Sequence, residues 1–109
     1  MPATLVIGYP KGSNVNMDYY LNKHMAGVTP GFKASGMTSF RVVKVQDLPG
    51  SESPFEVMTL CEFPDAGQIM KMLAGTTEEQ KKALAEDLTR YSEKQATIWI
   101  SEDASSATA

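Results

Sequence analysis

The single histidine of the chain, His24, sits in the segment Asp18-Tyr19-Tyr20-Leu21-Asn22-Lys23-His24-Met25. Read as a helix, this segment places His24 four residues after Tyr20, so the two rings share a face. Met17, Leu21 and Val28 fall on that face too, which sets the imidazole in an apolar stripe rather than among solvated charges. Imidazole has a reference pKa of about 6.5, and proton transfer is most efficient near the operating pH, so such a ring can serve as general acid or base. The same ring can equally be a core histidine whose nitrogens are satisfied by backbone carbonyls or water. The residues alone leave both roles open.

The companions of His24 carry the same double meaning. Tyr20 can orient the imidazole or hydrogen-bond a substrate oxygen, or be an amphipathic helix residue with its hydroxyl at the surface. Tyr9 stands at the carboxyl end of an apolar run, where loops begin and pockets open, and there it can bind a ligand or simply pack. Tyr19 points roughly 100° away from Tyr20 on a helix and is the poorer site residue. Arg41 can anchor a carboxylate or enolate, or lie over a sheet edge as an ordinary exposed cation. Glu62 can pair with His24 as a second carboxyl, or be a solvated strand-end residue. Cys61 reads as a small buried hydrophobe.

Other chemistries lack their residues. One histidine and one cysteine do not make a zinc or iron ligand set, so no metal is expected. Lys11-Gly12-Ser13 lacks the spacing of a phosphate-binding loop, and no cofactor is expected. Seven methionines, among them Met70 and Met72, are adaptable core filler that can also line a pocket for hydrophobic ligands.

The elements that must position these groups belong to one domain, since 109 residues support a single modest core. A net charge of -3, with Lys81-Lys82 the nearest thing to a basic run, argues against nucleic acid. A lone cysteine, the absence of a signal-peptide pattern and the absence of a long apolar run lead to the expectation of a cytoplasmic protein that does not enter a membrane.

Thr4–Tyr9 reads as a strand buried on both faces and stopped by Pro10 and Gly12. Asn14 or Asn16 can cap a helix from about Met17 to about Gly27, with Pro30-Gly31 breaking it and a short helical turn before Gly36. Ser39–Val45 is a second strand, with Phe40, Val42 and Val43 as candidate core residues. Asp47–Pro54 is an exposed loop, and Phe55–Phe63 is a third strand. Ala66, Ile69, Met70 and Leu73 mark a helical stripe ending at Gly75; Thr77-Glu78-Glu79-Gln80 is a capping box that opens another helix carrying Ala83, Leu84 and Leu88. Ala96–Ile100 is the last strand, so the domain spans residues 1–100 and residues 101–109 form a disordered tail. The order strand, helix, strand, strand, helix, strand predicts an α+β, ferredoxin-like βαββαβ sandwich, an antiparallel sheet with helices on one face. Its bare face would carry Val6, Val43, Met58, Leu60 and Trp99, and a homodimer joined through the sheet faces would cover them.

The segment from Asp18 to Met25, following Leu5-Val6-Ile7-Gly8-Tyr9-Pro10, resembles the EthD domain family of the dimeric α+β barrel superfamily. The resemblance extends through Phe40-Arg41-Val42-Val43 and the strand ending at Phe63; Ala26-Gly27 stands where many members place a proline after the His-Met pair. It implies a cavity between helices and sheet with the helix histidine pointing into it. It further implies a cofactor-independent enzyme, of the cyclase, decarboxylase, dehydratase, isomerase or monooxygenase type, acting on a small hydrophobic aromatic or polyketide-like molecule. In that scheme His24 is the general acid/base and Tyr20, Tyr9, Arg41 and Glu62 are substrate-binding residues. Fold analogy does not choose among these reactions, nor between an enzyme and a non-catalytic hydrophobic-ligand-binding or accessory homodimer.

Overall fold

The computed structural model of the protein describes residues 1–108. Four strands, β1 (Ala3–Pro10), β2 (Ser39–Lys44), β3 (Phe55–Phe63) and β4 (Thr97–Glu102), form one sheet in the order β2-β3-β1-β4, with every pairing antiparallel. Between β1 and β2 the chain makes one helical run in three segments: α1 (Met17–Tyr19), a π-helical stretch (Tyr20–His24) and α2 (Met25–Ala34). Helices α3 (Ala66–Ala74) and α4 (Glu78–Leu88) separate β3 from β4. This is the ferredoxin-like sandwich predicted from the element order, with the caps where the sequence puts them. The Asn16 side chain accepts from the Tyr19 N–H, and Thr77 and Gln80 form the capping box of α4.

Period-two alternation divides the sheet cleanly. Ala3, Leu5, Cys61 and Phe63 face the helices and pack with Met37 and Ile69 into one core cluster. Tyr9, Tyr20, Met25, Val57 and Tyr91 form a second, and Ile7 touches both. The alternate positions, including Val6, Val43, Met58, Leu60 and Trp99, lie on the helix-free face, as the register of β1 with β3 and β4 requires. Val6 and Gly8 are buried even there, because β1 is a central strand. A Cβ at Gly8 would come within 2.8 Å of the Phe55 ring, so only glycine lets that ring lie across the strand.

Three expectations change. Pro30 lies inside α2 instead of ending a helix. Proline removes one i→i−4 bond, but its neighbour Ala26 is exposed, so water can serve the freed carbonyl, and the Thr29 hydroxyl donates to the Met25 carbonyl beside it. Phe40 stays 39% exposed, because β2 is an edge strand, and Val43 faces away from the helices, so of the three core candidates only Val42 packs against a core cluster. The tail begins later than residue 101: Ser101 and Glu102 pair with Thr4 and Ala3, and the Asp103 N–H donates to the Pro2 carbonyl. Ala109, also assigned to that tail, lies outside the described residues. Among the described residues, no helix is long and apolar enough to cross a membrane.

Replacing the exposed Pro30 by alanine restores a helix donor and should raise stability by about 1–3 kcal/mol. Chemical denaturation of Pro30→Ala measures this, and an unchanged midpoint would mean that the local geometry already compensates fully.

Candidate active site

The π-helical stretch is the local feature from which the site is built. The Met25 N–H donates to the Tyr20 carbonyl five residues back, so the turn holds one residue more than an α turn. Its two ends, Tyr20 and His24, are its buried residues, and Leu21, Asn22 and Lys23 are exposed. The Tyr20 and His24 rings stack at 5.1 Å between centroids with 16° between planes. The shared face expected from their spacing is therefore real.

A second strand of chain is brought to this helix from the far side of the sequence. The Asn16 N–H donates to the Tyr91 carbonyl and the Glu93 N–H to the Ser13 carbonyl, tying the loop before α1 to the segment after α4. The tie sets the last turn of α4 and Tyr91 against His24. His24 Nδ1 lies 2.8 Å from Asp87 Oδ2, and the Tyr19 hydroxyl donates to the other carboxylate oxygen at 2.6 Å. The Tyr91 ring centroid is 4.7 Å from that of the imidazole, and its hydroxyl shares a 3.0 Å hydrogen bond with that of Tyr9. The Tyr20 hydroxyl shares one of 2.6 Å with Thr59 on β3. All four tyrosines of the chain thus gather around its one histidine.

His24 is 9% exposed. Among the described residues its Nε2 has no hydrogen-bond partner, and it is not one of the occluded polar atoms, so this nitrogen is the open one. His24 lines a cavity of about 330 Å³ between helices and sheet, together with Tyr9, Tyr91 and mainly apolar residues such as Leu5, Phe32 and Leu88. A carboxylate at Nδ1 favours the proton on that nitrogen and leaves Nε2 as the basic atom.

Partial burial pushes the Asp87 carboxyl upward, but the hydrogen bonds from Tyr19 and His24 outweigh it and hold the group below the usual carboxylate range. Burial pushes the Tyr91 hydroxyl up to about 12 and raises those of Tyr9 and Tyr20 as well, so all three are neutral donors rather than bases. The Cys61 thiol is pushed up to about 11, also by burial, and is no thiolate nucleophile near neutrality.

The five residues singled out from the sequence are not all brought together. His24 and Tyr9 line the cavity. Tyr20 stands behind the imidazole, stacked on it and bonded to Thr59, and is not a lining residue. Arg41 pairs with Leu60 in the sheet, and Glu62 accepts from the Thr4 hydroxyl, so both belong to the helix-free face. The pairing with His24 that was one of the roles open to Glu62 is made by Asp87 instead, because strand alternation turns Glu62 away. Tyr19, set aside on helix geometry, joins the network through Asp87. Asp87 and Tyr91 were missed altogether; the only local signal is their four-residue separation, the same as that of Tyr20 and His24. Among the described residues no three His, Cys, Asp or Glu side chains converge as a metal site requires.

No protein-family model matches the chain, and no curated protein does. Solved structures do. An EthD-like protein from Ralstonia eutropha superposes with a TM-score of 0.75 at 18% identity, covering 98% of this chain and 96% of that one. An EthD family protein from Bacillus halodurans gives 0.64 at 24% identity, covering 94% and 99%. SnoaB, a cofactor-independent oxygenase from Streptomyces nogalater, gives 0.58 at 10% identity, covering 96% and 94%. The chain therefore has the α+β fold of EthD-like proteins.

Asp87→Asn removes the acceptor charge at Nδ1. The unfolded carboxyl titrates near about 3.9 and the folded one below it, so the unfolded state binds the proton more readily in acid. The stability tied to this group is thus full above roughly pH 4 and lost as pH falls through the lower folded value. Denaturation midpoints from pH 7 down to pH 3 should fall less steeply for Asp87→Asn than for the parent, and parallel curves would refute the assignment.

Proposed function

We propose that this chain is an EthD-like, cofactor-independent enzyme in which His24 moves a proton on a small hydrophobic, oxygenated molecule of aromatic or polyketide-like type. The observation that carries this is a carboxylate-supported imidazole, free of hydrogen bonds at Nε2 among the described residues, on a residue that lines a largely apolar cavity. Nε2 takes a proton from an acidic C–H or O–H of the bound molecule, and the imidazolium so formed is stabilised across Nδ1–H by Asp87. The negative charge left on the substrate oxygen needs a donor. Tyr9 and Tyr91 share one hydrogen bond between two hydroxyls, which uses one of their two protons and leaves the other for an oxyanion. The apolar walls keep water scarce, which strengthens each of these interactions. Return of the proton to a different atom gives isomerisation; attack of the enolate carbon on a carbonyl of the same molecule, with the proton passed to the new alkoxide, gives cyclisation; expulsion of a leaving group from the neighbouring carbon gives a lyase.

Solvent-exchange NMR in D2O tests this with aromatic β-dicarbonyl compounds as probes. The parent protein should catalyse loss of the α-proton signal, and His24→Ala should reduce that rate by about 10²–10⁴-fold while remaining folded. Saturable binding of the probes without exchange would instead favour the ligand-binding alternative.

The same proposal includes a homodimer through the helix-free sheet face, supported by the run of Val6, Val43, Met58, Leu60 and Trp99 on one surface. Leu60→Glu puts a charge in the middle of that face. Sedimentation equilibrium should show the parent as a dimer and the variant as a monomer, and a parent that stays monomeric at high concentration rejects the interface.

A further inference from the structure

The cavity at His24 does not end at its own walls. Val28, Phe32, Met72, Thr76 and Leu84 line it and also line a more open groove of about 810 Å³ between α2, α3 and the first half of α4. The two spaces therefore adjoin at these five side chains, with His24, Tyr9 and Tyr91 on the cavity side and Gly27 and Gly31 on the groove side. Beyond His24 and the tyrosines, the ionisable residues that line the two spaces have one sign. Lys81 lines the inner cavity and Lys71 the groove, whereas no aspartate or glutamate among the described residues lines either. The contrast is informative in a chain with 13 acidic residues and a net charge of -3. The one salt bridge recorded for Lys81, to Glu78 at 3.4 Å, joins two exposed groups and holds the ammonium weakly.

The α2 wall of the groove is flat because Gly27 and Gly31, four residues apart, share one helix face. A Cβ at either position would meet nothing within 4 Å, so no packing contact inside the protein requires these glycines, although glycine in a helix interior costs about 0.5–1 kcal/mol.

We propose that the ligand is an elongated, mostly apolar carboxylate. Its reacting portion lies at His24, its body passes Lys81 into the glycine-lined groove, and its anionic group is received there by Lys71, with the Lys81 ammonium adding its attraction along the way. This rests on the proton-transfer function proposed for His24 in placing the reacting end, and extends it to the class and length of the substrate. An ammonium on a long flexible stem suits a carboxylate at a rim, because it can follow the group without a preset geometry. Apolar side chains on three helices then supply the contact area that an extended body needs.

Isothermal titration calorimetry with dodecanoate below its micelle concentration, dodecanol and 1-naphthoate tests length and charge separately. Dodecanoate should bind more tightly than dodecanol. Lys81→Gln should weaken dodecanoate by about three- to fivefold, in the range of exposed charge pairs, and leave dodecanol unchanged. Lys71→Gln combined with it should add to the loss, and added salt should mimic both. Gly31→Leu, for which the helix has room, should weaken dodecanoate by about tenfold, as expected for about 1.4 kcal/mol of lost contact, and leave the shorter 1-naphthoate unaffected. Melting temperatures at or above that of the parent confirm that these variants fold. Absence of dodecanoate binding at millimolar concentration, equal affinities for acid and alcohol, or indifference of dodecanoate to Gly31→Leu would each overturn the proposal. The readout needs no turnover, so a failure of His24 in proton exchange and a failure of this ligand assignment appear in different measurements.

Discussion

A buried imidazole must have each of its nitrogens accounted for, and the site is organised around how this is done for His24. One nitrogen is given to Asp87 and the other is left to a cavity. The first contact joins the two helical halves of the molecule, since Asp87 lies in the last turn of α4 while His24 ends the π-helical stretch. Remove the carboxylate and a nearly enclosed polar group loses its partner, at a cost of about 1–3 kcal/mol. The aromatic cluster of Tyr9, Tyr20 and Tyr91 packs around this bond. Their hydroxyls are bonded within the protein, Tyr9 to Tyr91 and Tyr20 to Thr59, which holds the surroundings of the imidazole rigid.

The π-helical stretch is the structural expression of the same constraint. Tyr20 is required to reach Thr59 on β3, and His24 is required to reach Asp87 on α4. An extra residue in the turn lets both ends point inward while the three residues between them remain in solvent. Such irregular turns recur where side-chain placement outweighs regular backbone geometry. The exposed middle of the turn tolerates the asparagine and lysine that occupy it, and the helix resumes regular geometry through Pro30 to Ala34.

Sheet alternation separates the two sides of the molecule with equal force. It puts Leu5, Ile7 and Tyr9 under the helices and Val6 and Gly8 on the other face, and it decides the placement of Arg41 and Glu62 in the same stroke. Judged by residue type, Arg41 is a reasonable anchor for an anion and Glu62 a reasonable partner for His24. Neither can serve the cavity, because a strand residue has only two directions in which to point. The cationic groups that do line the path, Lys71 and Lys81, come from helices whose surfaces look unremarkable in the sequence.

What the sequence alone determined was local and periodic: the order of the elements, a cap at Asn14 or Asn16, the capping box at Thr77, and the shared face of Tyr20 and His24. These are encoded within a few residues by backbone propensity and hydrophobic spacing, so they can be read without knowing the partners. The passage of α2 through Pro30 and the pairing of Ser101 and Glu102 escaped, because neighbouring structure overrode a local stop signal. The site was legible only in half. His24 and Tyr9 announce themselves, but Asp87 lies 63 residues from His24 and Tyr91 lies 82 from Tyr9. Only the tertiary structure decides those meetings, since they depend on how the segment after α4 is laid against the loop before α1. No pattern within either segment records the other.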